Sequence, residues 1–520
     1  MRFRTTAAYP LGVVALAACS TDQPAPTAPA SASLSVGSGK SFSRHMVLFT
    51  GDRAPGDFAA VVAKLGGRVE SVRNGVGFAT VTGLSASAAA ELKRATGVAS
   101  VDADAPMFFD DPAAGRTLGH AELAAGEARL DAGESAAQPN TAFFYPFQWN
   151  MRAIRADAAW AAGALGSSAV KVGILDTGLD DRHVDIRGRV IPELSASLLT
   201  THPQYDDEEN PVLDEDGNPV LVTDNDRIAK YFPGAPSWVD AHYHGTHVGT
   251  TVSSNALALA GITSQTRLVA VKVCSYVEGV GCPTSAVLQG VAFAADQGVD
   301  VINMSLGGSF SKRENSARGG NGPAFVAYLN RFFNYASKKG VTVVVSAGND
   351  AADLDHDGNS YKAYCNNPNV ICVSATGPAR GDLSGPNAFI GGFSDVDAPA
   401  VYTNFGRSAV NVAAPGGSYT LNAAGTAVVS GGFVWAACSS RSLVDDFCRN
   451  RTTGVTALVG TSMASPHAAG LAALLVEKYG RSPSQIRSAI QQSADDLGQS
   501  GTDPFYGKGR INVARAVGAI

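Results

Sequence analysis

Short apolar runs recur along the second half of this chain, and they limit the folds open to it. Residues 170–175, 268–273, 299–304 and 341–346 are such runs, with helical stretches near 286–297 and 324–339 between them. A strand apolar on both sides must be covered on both faces, and a helix between two strands returns the second parallel to the first. The expectation is an α/β fold with a doubly wound, mostly parallel sheet, spanning residues 141–520. With 45% hydrophobic residues among 520, the chain has enough apolar material for that core and for a second unit. A net charge of −6 gives no sign of a nucleic-acid partner.

The second unit is residues 44–104. Strands are expected at 45–50, 68–72, 77–82 and 98–103, with Asn74-Gly75 as a turn between the middle two. Helices are expected at 56–65 and, capped by Ser85, up to about 95. The order is βαββαβ, the ferredoxin-like α+β arrangement. Residues 105–140 lack strand periodicity and read as a linker, with some helical content around 121–129.

Ahead of these units, Arg2 and Arg4 precede an apolar stretch at 7–18 that is too short for a permanent membrane helix. Leu16-Ala17-Ala18-Cys19 resembles the lipobox of bacterial lipoproteins, in which the cysteine is lipidated. Residues 1–19 are thus expected to be an export signal and 20–43, rich in Ser, Pro, Ala and Thr, a disordered tether. An ordinary cleavage site ending in cysteine is the alternative. Seven cysteines are an odd number for an exported chain. Setting Cys19 aside leaves three neighbouring pairs: Cys274 with Cys282, Cys365 with Cys372, and Cys438 with Cys448. Six cysteines allow fifteen pairings, so local pairing is an expectation.

Three segments carry chemistry. The run at 170–175 ends in Asp176-Thr177-Gly178, an acid at the carboxyl end of a parallel strand, where α/β folds place their sites. His244-Gly245-Thr246-His247 sets two histidines on one helix face, without the glutamate of a helical zinc protease. Gly460-Thr461-Ser462-Met463-Ala464-Ser465-Pro466-His467 leads a serine into an apolar helix, whose N-terminal N–H groups suit an anionic intermediate. A serine hydroxyl needs a base to take its proton and a carboxylate to orient that base.

The order Asp176, His244, Ser462 and the Gly460-to-His467 stretch resemble the subtilase family of serine endopeptidases. The resemblance implies Asp176 as orienting acid, His244 as base and Ser462 as nucleophile. It implies that Asn349, in Val345-Ser346-Ala347-Gly348-Asn349, donates to the oxyanion together with the Ser462 N–H. Ser305-Leu306-Gly307 resembles the edge that pairs with substrate backbone, with Gly279 to Gly281 as the opposite wall. Polypeptides are the implied substrates, and no cofactor is required for catalysis. Residues 44–104 resemble the family's propeptide, an intramolecular inhibitor removed when the precursor cuts itself. An exported monomer, lipid-anchored or extracellular, is expected.

Two departures bear on metals. His183-Val184-Asp185-Ile186 replaces the usual His-Pro-Asp-Leu, and the loop at 255–260 lacks further acids. That argues against the calcium ion which this aspartate helps bind in many relatives. Asp353, Asp355 and Asp357 begin like a calcium loop, with Tyr364 at the twelfth position in place of glutamate. Structural calcium there is possible, against a solvated turn. From another class, the rival is a catalytically silent, lipid-anchored binding protein on a protease scaffold. Retention of Asp176, His244, Ser462 and Asn349 argues against it. A lipase would need Gly-x-Ser-x-Gly and the order Ser, Asp, His, and neither is present.

Overall fold

The computed structural model describes residues 44–104, 106–107, 120–122, 138–203, 212–215, 217, 220–275, 281–311, 322–358, 360–362, 364–378, 380–381, 393–421, 427–429 and 432–520. The signal and tether segments with Cys19, most of the linker, and Gly279 lie outside the described residues.

The larger sheet runs through Ala196–Ser197, Arg267–Lys272, Lys171–Asp176, Val301–Met304, Thr342–Ser346 and Val370–Gly377 in spatial order. All of these pairings are parallel, and Val412–Pro415 adds to Val370–Gly377 in the same sense. Among the described residues, only the strand Ala398–Pro399 pairs antiparallel in this sheet. The strands are Val- and Ile-rich because both faces are covered. On one face Ile174, Val248, Ala464 and Leu471 join one core cluster, which brings in the helices His244–Val252 and Thr461–Tyr479. On the other, Leu175, Val291 and Leu329 belong to a second cluster with the helices Thr284–Asp296 and Gly322–Lys338.

Residues 44–103 form strands β1 (Arg44–Phe49), β2 (Arg68–Arg73), β3 (Phe78–Thr82) and β4 (Val98–Ala103). Helices α1 (Phe58–Lys64) and α2 (Ala86–Leu92) connect them. The sheet is antiparallel in the order β2-β3-β1-β4. Ser85 caps α2 by accepting from the Ala88 N–H at 3.1 Å. One face packs inward on α1 and α2 through Val47, Phe49, Val62 and Leu92.

The opposite face lies on the helices Thr284–Asp296 and Gly322–Lys338. Met46, Leu48, Val76 and Phe78 join the second core cluster there. Phe78 meets Phe332 edge-on at 5.1 Å and Tyr328 at 5.9 Å, contacts worth about 1 kcal/mol each beyond burial. The Tyr328 hydroxyl sits among Ser100 Oγ (2.9 Å), Met46 O (3.0 Å) and Asp102 Oδ2 (3.0 Å). Asp104 accepts from the Ser285 N–H at 2.8 Å, capping the first turn of the helix Thr284–Asp296. Burial pushes the Asp104 carboxyl up, while Ser285 and the nearby Arg44 pull it down.

Three disulfides join Cys274 to Cys282, Cys365 to Cys372 and Cys438 to Cys448. A structural difference from the sequence reading falls in the linker. His120–Glu122 is a strand, and the rest of the stretch around 121–129, read with some helical content, lies outside the described residues.

Candidate active site

Asp176 ends the strand Lys171–Asp176, from which the sheet grows outward on both sides. The next long strand, Arg267–Lys272, lies on one flank and Val301–Met304 on the other, so a crevice opens at this carboxyl end. His244 Nδ1 donates to Asp176 Oδ1 at 2.8 Å, and the Thr177 N–H donates to the same oxygen at 2.8 Å. With its proton on Nδ1, the imidazole keeps Nε2 as a base. Asp176 is fully buried, His244 nearly so, and Ser462 is partly exposed.

Thr177 and Asp240, the latter passed over by sequence reasoning, hold this pair. Asp240 Oδ1 accepts from Thr177 Oγ1 (2.9 Å) and the His242 N–H (2.9 Å). Its Oδ2 accepts from the Thr246 N–H (2.9 Å) and Oγ1 (2.7 Å). Asp240 therefore caps the histidine helix and ties it to the residue after Asp176. Burial raises its carboxyl pKa, its hydrogen bonds with Thr246 and Thr177 oppose that, and the Asp176 charge adds to the rise. Thr177 Oγ1 also accepts from the Gly245 N–H at 2.9 Å. The backbones meet closely here: a Cβ on Gly245 would stand 2.2 Å from Gly178 O, and Gly178 itself has φ +116. The available signal was an acid four residues before His244, in Asp240-Ala241-His242-Tyr243.

Ser462 sits in the first turn of the helix Thr461–Tyr479, entered through Gly460 at φ +150. Its Oγ lies 3.2 Å from Ser305 O, while Ser305 Oγ donates to Ser462 O at 2.7 Å. Asn349 Oδ1 accepts from the Thr461 N–H and Oγ1, both at 2.8 Å, which fixes the orientation of its amide. A Cβ placed on Gly460 would be 3.6 Å from Asn349 Nδ2 and 3.6 Å from Ser462 N. Two amide donors thus converge on the bare flank of a glycine beside the serine.

His247 and His467 are packed and neutral. His247 Nε2 donates to Val434 O at 3.0 Å, and burial lowers its pKa to about 3. It turns away from His244, so the two are no metal pair. His467 Nδ1 donates to Met463 O at 2.8 Å and Nε2 accepts from Asn150 at 2.8 Å, with burial lowering its pKa to about 4.

Ser305, Leu306 and Gly307 lie in the extended stretch after Val301–Met304. Opposite, Gly281 precedes Cys282–Pro283, which pairs antiparallel with the chain's own Pro106–Met107. Met107 is buried, 3.1 Å by its Cγ from where a Cβ on Gly308 would stand, and its Sδ accepts from Tyr364 at 3.0 Å.

The acidic loop is not assembled as a calcium site. Asp353 takes the His356 ring at 2.8 Å, and Asp355 takes the Arg407 N–H at 2.7 Å and Ser408 Oγ at 2.6 Å. Asp353 and Asp355 thus serve turns in different directions. Among the described residues no group of three or more His, Cys, Asp or Glu side chains could hold a metal. Asp185 is likewise spent on protein donors. It accepts from the N–H groups of Leu257 (2.8 Å), Ala258 (2.9 Å) and Leu259 (3.0 Å).

Chemistry of this kind belongs to serine peptidases, and comparison with known proteins narrows it. Residues 167–509 match the model of the subtilase family, peptidase S8. Thermitase of Thermoactinomyces vulgaris is 30% identical over 382 residues, covering 73% of this chain and 99% of that protein. Subtilisin DY of Bacillus licheniformis is 30% identical over 366 residues, covering 70% and 96%. The chain belongs to the subtilase family and is a serine endopeptidase. Among solved structures, the epidermin leader peptide processing protease of Staphylococcus aureus superposes with a TM-score of 0.64 at 19% identity, over 92% of this chain and 98% of that one. Fervidolysin of Fervidobacterium pennivorans, a keratinolytic enzyme, gives 0.59 at 19% identity, over 92% and 61%. These two share the fold.

Proposed function

We propose that Ser462 cuts peptide bonds through an acyl-enzyme, with His244 as base and then acid, and Asp176 as its orienting carboxylate. The observation that carries this reading is the 2.8 Å bond between His244 Nδ1 and Asp176 Oδ1, at the crevice where Ser462 opens a helix. Attack on a carbonyl places negative charge on its oxygen, and the amides of Asn349 and Ser462 are the donors for it. Residues 44–104 serve as a propeptide: their sheet covers two helices of the enzyme while Pro106–Met107 occupies a substrate-pairing edge. The precursor is exported and cuts itself.

Ser462→Ala is expected to abolish casein hydrolysis and to leave an uncut precursor. Wild-type hydrolysis should be blocked by a serine-directed phosphonate. A Ser462→Ala protein that still hydrolyses casein would refute the assignment of the nucleophile.

A further inference from the structure

Two short strands between residues 105 and 140 pair with the body of the protein. Pro106–Met107 pairs with Cys282–Pro283 on one side, beside Gly308 and three residues from Ser305. His120–Glu122 pairs antiparallel with Gly454–Leu458, matching Glu122 to Gly454, Ala121 to Val455 and His120 to Thr456. Gly454–Leu458 leads directly to Gly460 and Ser462. Twelve residues, 108–119, separate the two strands in sequence.

The second contact differs in kind from the first. Cys282–Pro283 pairs with no other strand among the described residues, whereas Gly454–Leu458 is the middle of three, between Val434–Ala437 and His120–Glu122. Gly454–Leu458 is buried throughout. Removing its outer neighbour would uncover backbone N–H and C=O groups on a buried strand, which is costly.

We infer that His120–Glu122 belongs to the mature enzyme: the precursor is cut between Met107 and His120, and the new N-terminal segment stays on the edge of Gly454–Leu458 as a permanent third strand. This rests on the self-processing reading above. In the step, Ser462 Oγ adds to the carbonyl carbon of one bond in that span while His244 takes the hydroxyl proton. The C–N bond breaks and the proton passes to the leaving amine, the new N-terminus. Water then hydrolyses the ester, leaving a carboxylate on the propeptide and returning a proton to Ser462. The upstream product loses its covalent link to the enzyme. The downstream one keeps it, at a local concentration on the order of millimolar, so its strand remains paired.

The test uses the full-length protein. Intact mass and N-terminal sequencing of the matured wild type should place its first residue between 108 and 120. Hydrogen exchange should find the amides of residues 454–456 as protected after maturation as in the uncut Ser462→Ala precursor. A mature chain that starts beyond Glu122 overturns the inference, as does a gain in exchange at 454–456 on maturation. Should Ser462→Ala be cut at the wild-type rate when expressed alone, the self-processing reading falls, while the start of the chain and the exchange still decide the fate of the strand.

Discussion

The helices that carry the histidine and the serine are both buried, yet they are held in different ways. In the serine helix, residues Met463 to Val476 are all buried and mostly Ala, Leu and Val, so packing holds its body, while Asn349 and Ser305 tie Thr461 and Ser462 in its first turn. The histidine helix His244–Val252 depends on polar ties: Asp240 on Thr246, Thr177 on Gly245, and Thr250 and Thr251 on carbonyls one turn back. The division fits the roles proposed above for Ser462 and His244. A nucleophile needs only a fixed position, whereas a base that becomes charged in mid-reaction needs dipoles already aimed at it.

Leu471→Ala tests the packed half. Leu471 is fully exposed to neighbours and not at all to solvent, so truncation should destabilise the mature enzyme by about 3 kcal/mol in denaturant unfolding. The turnover number of the folded fraction should be unchanged. A large fall in turnover would show that packing does more than hold the helix.

Asn349→Leu removes the amide proposed above as a donor to the oxyanion, a charge that appears only at the barrier. The turnover number should fall by about a hundredfold, a magnitude known for a subtilisin asparagine and carried over here, with the Michaelis constant steady. A raised Michaelis constant with intact turnover would place Asn349 in ground-state binding.

Acid should loosen the molecule through His242, His247 and His467, whose pKa values burial lowers to about 3, 3 and 4. The unfolded chain binds protons on these rings below about 6.5 and the folded one does not, so their contribution is complete above 6.5 and is lost as pH falls toward 4. Each should cost about 2 kcal/mol between pH 7 and pH 5. Buried Asp104, Asp185 and Asp240, whose pKa values are raised, act in the opposite sense from about pH 3.8 upward. Melting temperature measured at half-unit steps of pH should therefore decline first between 6.5 and 5, and His247→Gln should flatten that decline.

Asp240→Asn gives the smallest effect. It leaves the shape but turns two of four acceptor positions into donors facing the Thr246 N–H and hydroxyl. Loss of one cap is worth about 1 kcal/mol, so hydrolysis should fall roughly fivefold, and the acid limb of its pH profile should shift. An unchanged pH profile would reduce Asp240 to a fold residue.

Much of the site was legible because it is local. Asp176-Thr177-Gly178, His244-Gly245-Thr246-His247 and Gly460 to His467 each carry their backbone requirement within a few residues, as the Gly245–Gly178 approach shows. Asp240 escaped because its role lies in reaching Thr177, 63 positions away, which no local pattern encodes. The acidic run at 353–357 shows the converse. Its spacing imitates a ligand set, while Asp353 and Asp355 accept from protein donors, and the Arg407 and Ser408 partners of Asp355 stand more than fifty positions on. His120–Glu122 is too short to show alternation, and only its partner strand makes it extended.

Tyr328 would give the maturation proposed above an optical signature. In the precursor its phenol is fully buried beneath β1 and β4 and its pKa lies well above 10, chiefly through burial, so it cannot be titrated in mild alkali. If the 44–104 module departs, that ring meets water and its ionisation returns to the ordinary range. The ultraviolet absorbance of phenolate would then report, without any substrate, what fraction of the enzyme has shed its cover.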